Sequence, residues 1–549
     1  MSGAKSTTGT VTMNLRGRMR PARPSIRRWA RPLIAAAVLL AMLAHGRAQR
    51  AGAQEAAPEP AEPKAAVSLT YGTYVGGASD DWAQATAVDA QGNVVITGYT
   101  YSAQFPGRTG TRKDRQVFVT KLNAAGSAVI FSRVFGGADD DEGRGVAVDR
   151  QGNIWVTGAT ESPDFPTRGA LAGSYGGGNS DTFVAKLSPA GEILMAAYLG
   201  DDSSDQGNGI AVDPQGDAYI TAEAGARFGP VAVIVKLAAS GEQVVYRGYF
   251  GEADHGFDRG TRPNAIAVNP QGQAFIVGRT NTPLFPTPNG LFQQCGDFER
   301  TGGECDFADA FLAVVNAEGS EIIYGSYLGG TIGDEATGVA LDSDENIYIT
   351  GTTFADDFPV KSAFQAQKVG PDNFADGFLT KLSPNGDALI FSTYYAADKW
   401  EEPAAVAVDA AGNAYIAGLT SSNDLPVPGA IQGGIRGICI TGSSERWCYD
   451  GFVAAFSPEG ALSWATYLGG TFDDSVKGLA ISPDGGVVVA GRAESHEFPT
   501  TAGSFQPTKA LADDAFVAKI GGSSGSGGGN GGGETSLPFQ VNLPLLSGR

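Results

Sequence analysis

Apolar residues in this chain come in short runs broken by glycine-bearing turns, and the runs recur in one order seven times. Each copy opens on an aromatic-Leu-Gly-Gly step and passes into a Val-Ala-Val-Asp run. A Gln-Gly-Asn turn, a Tyr-Ile-Thr-Gly run, a Phe-Pro loop and an Asp-Ala-Phe-Val-Ala-Lys-Leu run follow. Copies start near Gly76, Gly136, Gly200, Gly251, Gly329, Ala396 and Gly469, at spacings of 60, 64, 51, 78, 67 and 73 residues. A repeat this long, carrying four strand-like runs, predicts a radial array of small sheets.

The second copy shows the reading in detail. Residues 145–149 are rich in Val and Ala, as a strand buried on both faces must be. Arg150-Gln151-Gly152-Asn153 is a hairpin turn, because Gly and Asn tolerate positive φ. Residues 154–160, 182–187 and 193–198 supply the remaining strands. The seventh copy provides residues 478–482, 487–493 and 515–520, and then no fourth run. The missing run stands at the other end. Residues 67–74 match the fourth runs at 389–394 and 462–467. The expected architecture is an all-β, seven-bladed β-propeller of four-stranded antiparallel blades over residues 67–520, its last blade closed by the N-terminal strand. Such a clasp leaves the ring no open edge.

The chain resembles the bacterial seven-bladed beta-propeller (SBBP) repeat family. The resemblance is carried by Gly338-Val339-Ala340-Leu341-Asp342, by Asn346-Ile347-Tyr348-Ile349-Thr350-Gly351 and by Asp376-Gly377-Phe378-Leu379-Thr380-Lys381-Leu382, with their counterparts in the other copies. The third copy departs most, with Phe228-Gly229-Pro230 and a short loop. The resemblance implies the propeller fold and an exported location. It implies no shared catalytic residues.

Residues 1–53 hold ten basic residues and no acid, beside an apolar run at 33–44. That run is short for a bilayer span and fits a signal-peptide core, with Ala51-Gly52-Ala53 as small residues before a cut. A retained anchor is the competing reading. Arg27-Arg28 hints at twin-arginine export, although the flanking residues match that signal poorly. Residues 54–66 read as a Pro/Ala linker, and residues 521–549 as a Gly/Ser-rich linker with a short apolar tail. Cleavage would take ten of the 39 basic residues and leave 29 against 59 acids, a net charge near −30. That balance repels nucleic acid and anionic lipid. The expectation is a monomer, secreted or at the cell surface, with no membrane span after cleavage. Cys295 with Cys305, and Cys439 with Cys448, form two local pairs that read as disulfides in an exported chain. Zinc held by all four would need them to converge from different blades.

Topology separates the two faces of the ring. Turns between strands one and two, and three and four, share one face. The Phe-Pro loops, the cysteine insertions and the blade-to-blade connections share the other, and long loops on a rigid scaffold are where binding resides. The connections are acidic. Asp80, Asp81, Asp139, Asp140, Asp201, Asp202, Asp334, Asp473 and Asp474 are candidate ligands for a hard cation, calcium by preference. The plainer reading makes them turn and solubility residues, and no calcium-loop spacing is present. Lys121, Lys186, Lys236, Lys381 and Lys519 recur in the third strand and are read as lying over apolar surface or paired to carboxylates. Tyr74, Tyr198, Tyr249, Tyr327, Tyr394 and Tyr467 recur in the fourth strand and are read as packing between blades.

Catalytic signatures are sparse. The mature chain has two histidines, His255 and His496, both in loops. No nucleophile elbow, zinc-helix motif or phosphate loop is present. The reading is a non-catalytic binding module for an extracellular glycan, protein or peptide. Trp82, Trp400 and Trp447, with His255 and His496, are its candidate contact residues. The alternative is a lyase or glycoside-active propeller that uses carboxylates and a divalent cation near the channel. That reading predicts acids converging with a histidine near the axis.

Overall fold

The computed structural model describes residues 67–108, 114–226, 229–251, 259–441 and 444–522. It is a seven-bladed β-propeller of four-stranded antiparallel sheets. The inner strands are Asp81–Val88, Asp141–Val148, Asp205–Val212, Thr261–Val268, Asp334–Leu341, Glu401–Val408 and Asp474–Ile481. Each inner strand touches the inner strand of the blade on either side, the seventh touching the first, so they form a closed ring around a channel. Val67–Val75 lies antiparallel to Asp514–Gly522 as the outer strand of the seventh blade, with Tyr74 opposite Phe516. Among the described residues, no helix is long and apolar enough to cross a membrane.

Two local devices shape each blade. The first is the Asp-x-x-Gly-Asn turn. Asp89 Oδ1 accepts the Gln91 and Asn93 N–H groups at 2.9 Å each, and Gly92 supplies φ +80°. The second is a β-bulge at the same place in all seven inner strands. The register slips between Ala83 and Ala85, Gly143 and Gly145, Gly207 and Gly209, Pro263 and Ala265, Ala336 and Gly338, Pro403 and Ala405, and Val476 and Gly478. Proline is tolerated at two of these sites because an inner strand has no ladder partner on its channel side. The neighbouring strand is correspondingly tight: a Cβ on Gly351 would overlap the Glu335 carbonyl oxygen.

The apolar core lies between blades. Ala407, Tyr415 and Val453 of the sixth blade pack on Leu479, Val489 and Phe516 of the seventh. The recurring lysines answer the turn aspartates, at 2.8 Å for Lys121–Asp89, 3.3 Å for Lys381–Asp342 and 2.6 Å for Lys519–Asp484. The ammonium of Lys186 also sits 4.8 Å from the Trp155 ring centroid, and that of Lys381 4.8 Å from the Tyr348 ring centroid. Burial pushes Asp89 up, but its bonds to Lys121 and Asn93 hold it below the usual carboxylate range.

The fourth-strand tyrosines do more than pack between blades. Those of the second, fifth and seventh blades pin the Phe-Pro loop of their own blade. Tyr394 Oη donates to Ala355 O at 2.8 Å and accepts Phe358 N–H at 3.2 Å. Tyr198 and Tyr74 make the same pair of bonds, to Ser162 and Phe165 and to Ser495 and Phe498. Tyr249 is 50% exposed, because the third blade has no Phe-Pro loop to pin.

The first expected outcome concerns these tyrosines. Tyr394→Phe leaves a buried N–H and C=O unpartnered and should cost about 1–3 kcal/mol in urea unfolding. Tyr249→Phe should stay within about 0.5 kcal/mol.

Candidate functional site: the mouth of the central channel

The seven bulges turn one side chain per blade toward the axis. Gln84, Arg144, Asn208, Asn264, Thr337, Ala404 and Lys477 line a central cavity of about 280 Å³. Five of them bridge to a neighbouring blade. Arg144 reaches Gln206, and Asn208 Oδ1 at 3.0 Å. Asn208 Nδ2 donates to Pro263 O at 2.8 Å, and Asn264 Nδ2 to Glu335 Oε1 at 2.8 Å. Thr337 Oγ1 donates to Pro403 O at 2.6 Å, and Lys477 faces Glu402 at 3.6 Å. A polar belt therefore runs from the second blade round to the seventh. Ala404 adds no bond. Among the described residues, Gln84 is the lining amide whose side chain makes no such bridge.

Two residues before each bulge, Trp82, Glu142, Gln206, Arg262, Glu335, Glu402 and Ser475 hold equivalent positions nearer the loop-bearing face. Trp82 pairs across the strand with Tyr99, ring centroids 5.4 Å apart, and the Arg492 guanidinium lies 4.5 Å from the Trp82 ring centroid. Tyr101 packs edge-on to Tyr99, and Arg115 lies 5.4 Å from the Tyr99 ring centroid. The cations here are matched by acids. Arg492 meets Asp513 at 2.6 Å and Glu494 at 3.3 Å, and Arg115 meets Glu142 at 2.8 Å.

The other candidates from the sequence are scattered. Trp400 precedes the inner strand of the sixth blade, donates Nε1 to Glu402 Oε2 at 3.4 Å and packs on Phe354. Trp447 sits on a two-stranded ribbon, Ile438–Thr441 with Ser444–Trp447, and packs half-buried on the sixth-blade core. His496 is exposed in the seventh-blade loop. His255, with Glu252 and Asp254, lies outside the described residues, as do the signal-peptide, linker and tail segments. The cysteines form disulfides Cys295–Cys305 and Cys439–Cys448, each within one loop insertion.

The acidic connections divide in two. Asp80, Asp139, Asp201 and Asp202 are exposed, and Asp140 and Asp473 are half-buried. Asp473 is held by Arg446 at 2.7 Å. Asp81, Asp334 and Asp474 are buried. The buried position of the second and third blades falls on Asp141 and Asp205, and in the sixth on Glu401. Each buried acid caps its own connection. Asp81 Oδ2 accepts Gly77 N–H at 2.6 Å and Ser102 Oγ–H at 2.8 Å. Burial pushes Asp81 up to about 7, against the lowering effect of its Thr100, Gly77 and Ser102 contacts. The structure does not gather the candidate metal ligands. Among the described residues, groups of three close ligand atoms occur at Cys295, Asp297 and Cys305 and at Cys439, Cys448 and Asp473, and both rest on disulfide sulfurs.

Three segments, residues 130–166, 196–229 and 323–359, match the SBBP beta-propeller repeat. No curated protein matches it. Among solved structures, it is similar to a Dyadobacter fermentans DSM 18053 protein of unknown function (11% identity, 83% of this chain and 99% of that one, TM-score 0.37). It is also similar to the Neurospora crassa Pan2 WD40 domain (8% identity, 83% and 97%, TM-score 0.40). Polysaccharide lyase Uly1 is a third (11% identity, 83% and 98%, TM-score 0.40). Likeness at this level says nothing about activity.

The belt makes a second testable statement. Asn264→Ala removes two inter-blade bonds, to Glu335 and to Ala336 O, and should cost about 1–2 kcal/mol in urea unfolding. Gln84→Ala should leave stability within about 0.5 kcal/mol.

Proposed function

We propose that the protein is an exported, non-catalytic binding module that holds a neutral glycan at the loop-side mouth of its channel. The observation that carries this reading is the break in the polar belt at the first blade. Arg144, Asn208, Asn264, Thr337 and Lys477 bridge blades, while the Gln84 amide lines the cavity unengaged, with Trp82 two residues before it on the same strand. An amide offering both donors and acceptor suits a sugar, whose hydroxyls need paired bonds, and Trp82, packed between Tyr99 and Arg492, stands nearer the loop-bearing face. Arg492 beside Trp82 and Arg115 beside Tyr99 are each paired with acids.

Two disulfides support an oxidising compartment, and the basic and apolar residues before residue 54 support export. The exported location therefore stands with the binding role as one reading, a glycan receptor secreted or held at the cell surface.

The test is a screen of neutral oligosaccharides against the purified protein, followed by calorimetry on any hit. Trp82→Ala and Gln84→Ala should each weaken binding about 10-fold or more, with unchanged melting temperature. Trp447→Ala on the ribbon should bind as wild type. A ligand whose affinity depends on Trp447 and ignores Trp82 and Gln84 would move the site to the ribbon and overturn the proposal.

A further inference from the structure

The buried acids of the blade junctions come in twos, and the sequence pattern alone concealed it. At five of the seven junctions a carboxyl group at the start of the inner strand meets a second one at the start of the third strand of the preceding blade. The pairs are Asp514 with Asp81, Asp181 with Asp205, Asp309 with Asp334, Asp376 with Glu401 and Asp450 with Asp474, all buried. The approach is seen directly at two of these junctions. A single point, the Cβ position of Gly329, lies 2.5 Å from Asp334 Oδ2 and 2.9 Å from Asp309 Oδ1. The Cβ position of Gly200 lies 2.8 Å from Asp181 Oδ1 and 2.9 Å from Asp205 Oδ2. The intervening glycines have no room for a side chain because the carboxyl groups occupy it.

Two like charges in a dry junction repel strongly, so one must be neutralised. The seven junctions show how. Between the first and second blades, Gln116 stands where the other blades have Asp, and its Nε2 donates to Asp141 Oδ2 at 3.4 Å. Between the third and fourth, both acids are gone, and Val231 and Thr261 hold the two positions. Between the fifth and sixth, the buried Lys368 ammonium stands 3.8 Å from Asp376. Each exception removes or balances the second charge.

Each of the other four junctions keeps both acids and has an orphan carboxylate oxygen, as Asp141 and Asp376 also do. Oδ1 of Asp181, Asp450 and Asp514 is buried without a hydrogen-bond partner, while Oδ2 of each accepts a single loop donor or a pair of them. The bonds around these pairs come from N–H and O–H donors. Gly330 N–H reaches Asp334, Gly470 N–H and Ser495 Oγ–H reach Asp474, and Gly296 N–H reaches Asp309. Donors leave a lone pair to be filled by a proton. A metal would need converging oxygens, and among the described residues no third carboxylate comes within ligand distance of any pair.

We infer that these four junctions each hold one buried proton shared between two carboxyl groups, so that the ring is bound together by acid–carboxylate pairs that open as pH rises. Other charged groups face them. Asp297 and Asp357 stand near the Asp309 pair, Asp473 and Arg436 near the Asp450 pair, Asp513 and Lys509 near the Asp514 pair, and Asp201 near the Asp181 pair. The fourth-strand tyrosines face them too, Tyr327 at Asp309, Tyr394 at Asp334, Tyr467 at Asp450, Tyr74 at Asp474 and Asp514, and Tyr198 at Asp181. All of these tyrosines are kept protonated by burial. Burial, then the neighbouring acid, pushes Asp450 up to about 8, and burial pushes Asp309 and Asp474 up to about 7. Unfolded carboxyls release their protons near pH 4. Between that value and the folded one, the folded chain binds more protons. Its junction stability is full below the unfolded value and is lost as pH rises through the folded value.

The experiment is infrared spectroscopy of the full-length protein across pH, with melting curves in EDTA, for wild type, Asp309→Asn and Asp450→Asn. Asn copies the neutral amide that Gln116 already supplies. Wild type should show a protonated-carboxyl carbonyl band at about pH 6 that fades toward about pH 9, when ordinary carboxyls are fully ionised. Each variant should lose part of the band, and the fall of melting temperature with pH should be shallower than in wild type. Absence of the band at about pH 6 in wild type would overturn the inference, even if neither variant folds. So would a melting temperature that calcium raises and EDTA lowers in wild type but not in the variants.

Discussion

A carboxyl group buried at the start of an inner strand ties three segments of chain to one point. At the seventh blade, Asp474 accepts Gly470 N–H from the connection and Ser495 N–H and Oγ–H from the loop beyond the second strand. The same three-way tie holds Gly77 and Ser102 at Asp81, and Gly137 and Ser162 at Asp141. Donor bonds to a buried acid are strong because no water competes for them. The tie sets where each inner strand begins, and so where each bulge falls and which side chain meets the axis. The ring depends on this more than on any single apolar contact.

From that constraint the channel follows. The bulge comes three residues after each buried acid, or after Thr261 in the fourth blade, and delivers one side chain per blade. Most of these are spent on holding neighbouring blades together. Stability and function therefore share one set of positions, and the position left over by stability, Gln84, is the one with something to offer a ligand. Trp82 stands beside it because a side chain two residues along an inner strand rises toward the loop-bearing face.

Much of the fold was legible in the sequence. Seven copies of a four-strand pattern define the blades, and tight Asp-x-x-Gly-Asn turns separate the two faces. The pairing of the recurring lysines with turn carboxylates was legible too, since an ammonium over apolar surface needs an anion at its end. The site was less so. Period-two alternation is broken by the bulge, so Asn264 or Thr337 reads as an ordinary half-buried residue until the register is seen. Adjacent acids such as Asp80 and Asp81 look alike on paper, yet one is exposed and the other is buried at the junction. In the second and third blades the buried acid is Asp141 and Asp205, beyond the doublets the spacing favoured. The glutamines that support the third-strand acids, Gln432 and Gln506, sit in loops of unequal length and leave no periodic trace. The signal that could have revealed the pairing is the joint loss of both acids where the copy that departs most meets the next one, at Val231 and Thr261.

The account's central claim is that the buried junction acid positions the channel mouth. Hydrogen exchange of wild type and Asp474→Ala tests it most directly. The account predicts faster exchange at Gly470, Phe472 and Ser495, and at the start of the seventh inner strand, with the turn face of that blade still protected. Unchanged exchange at these amides, or an equal rise across all seven blades, would contradict it.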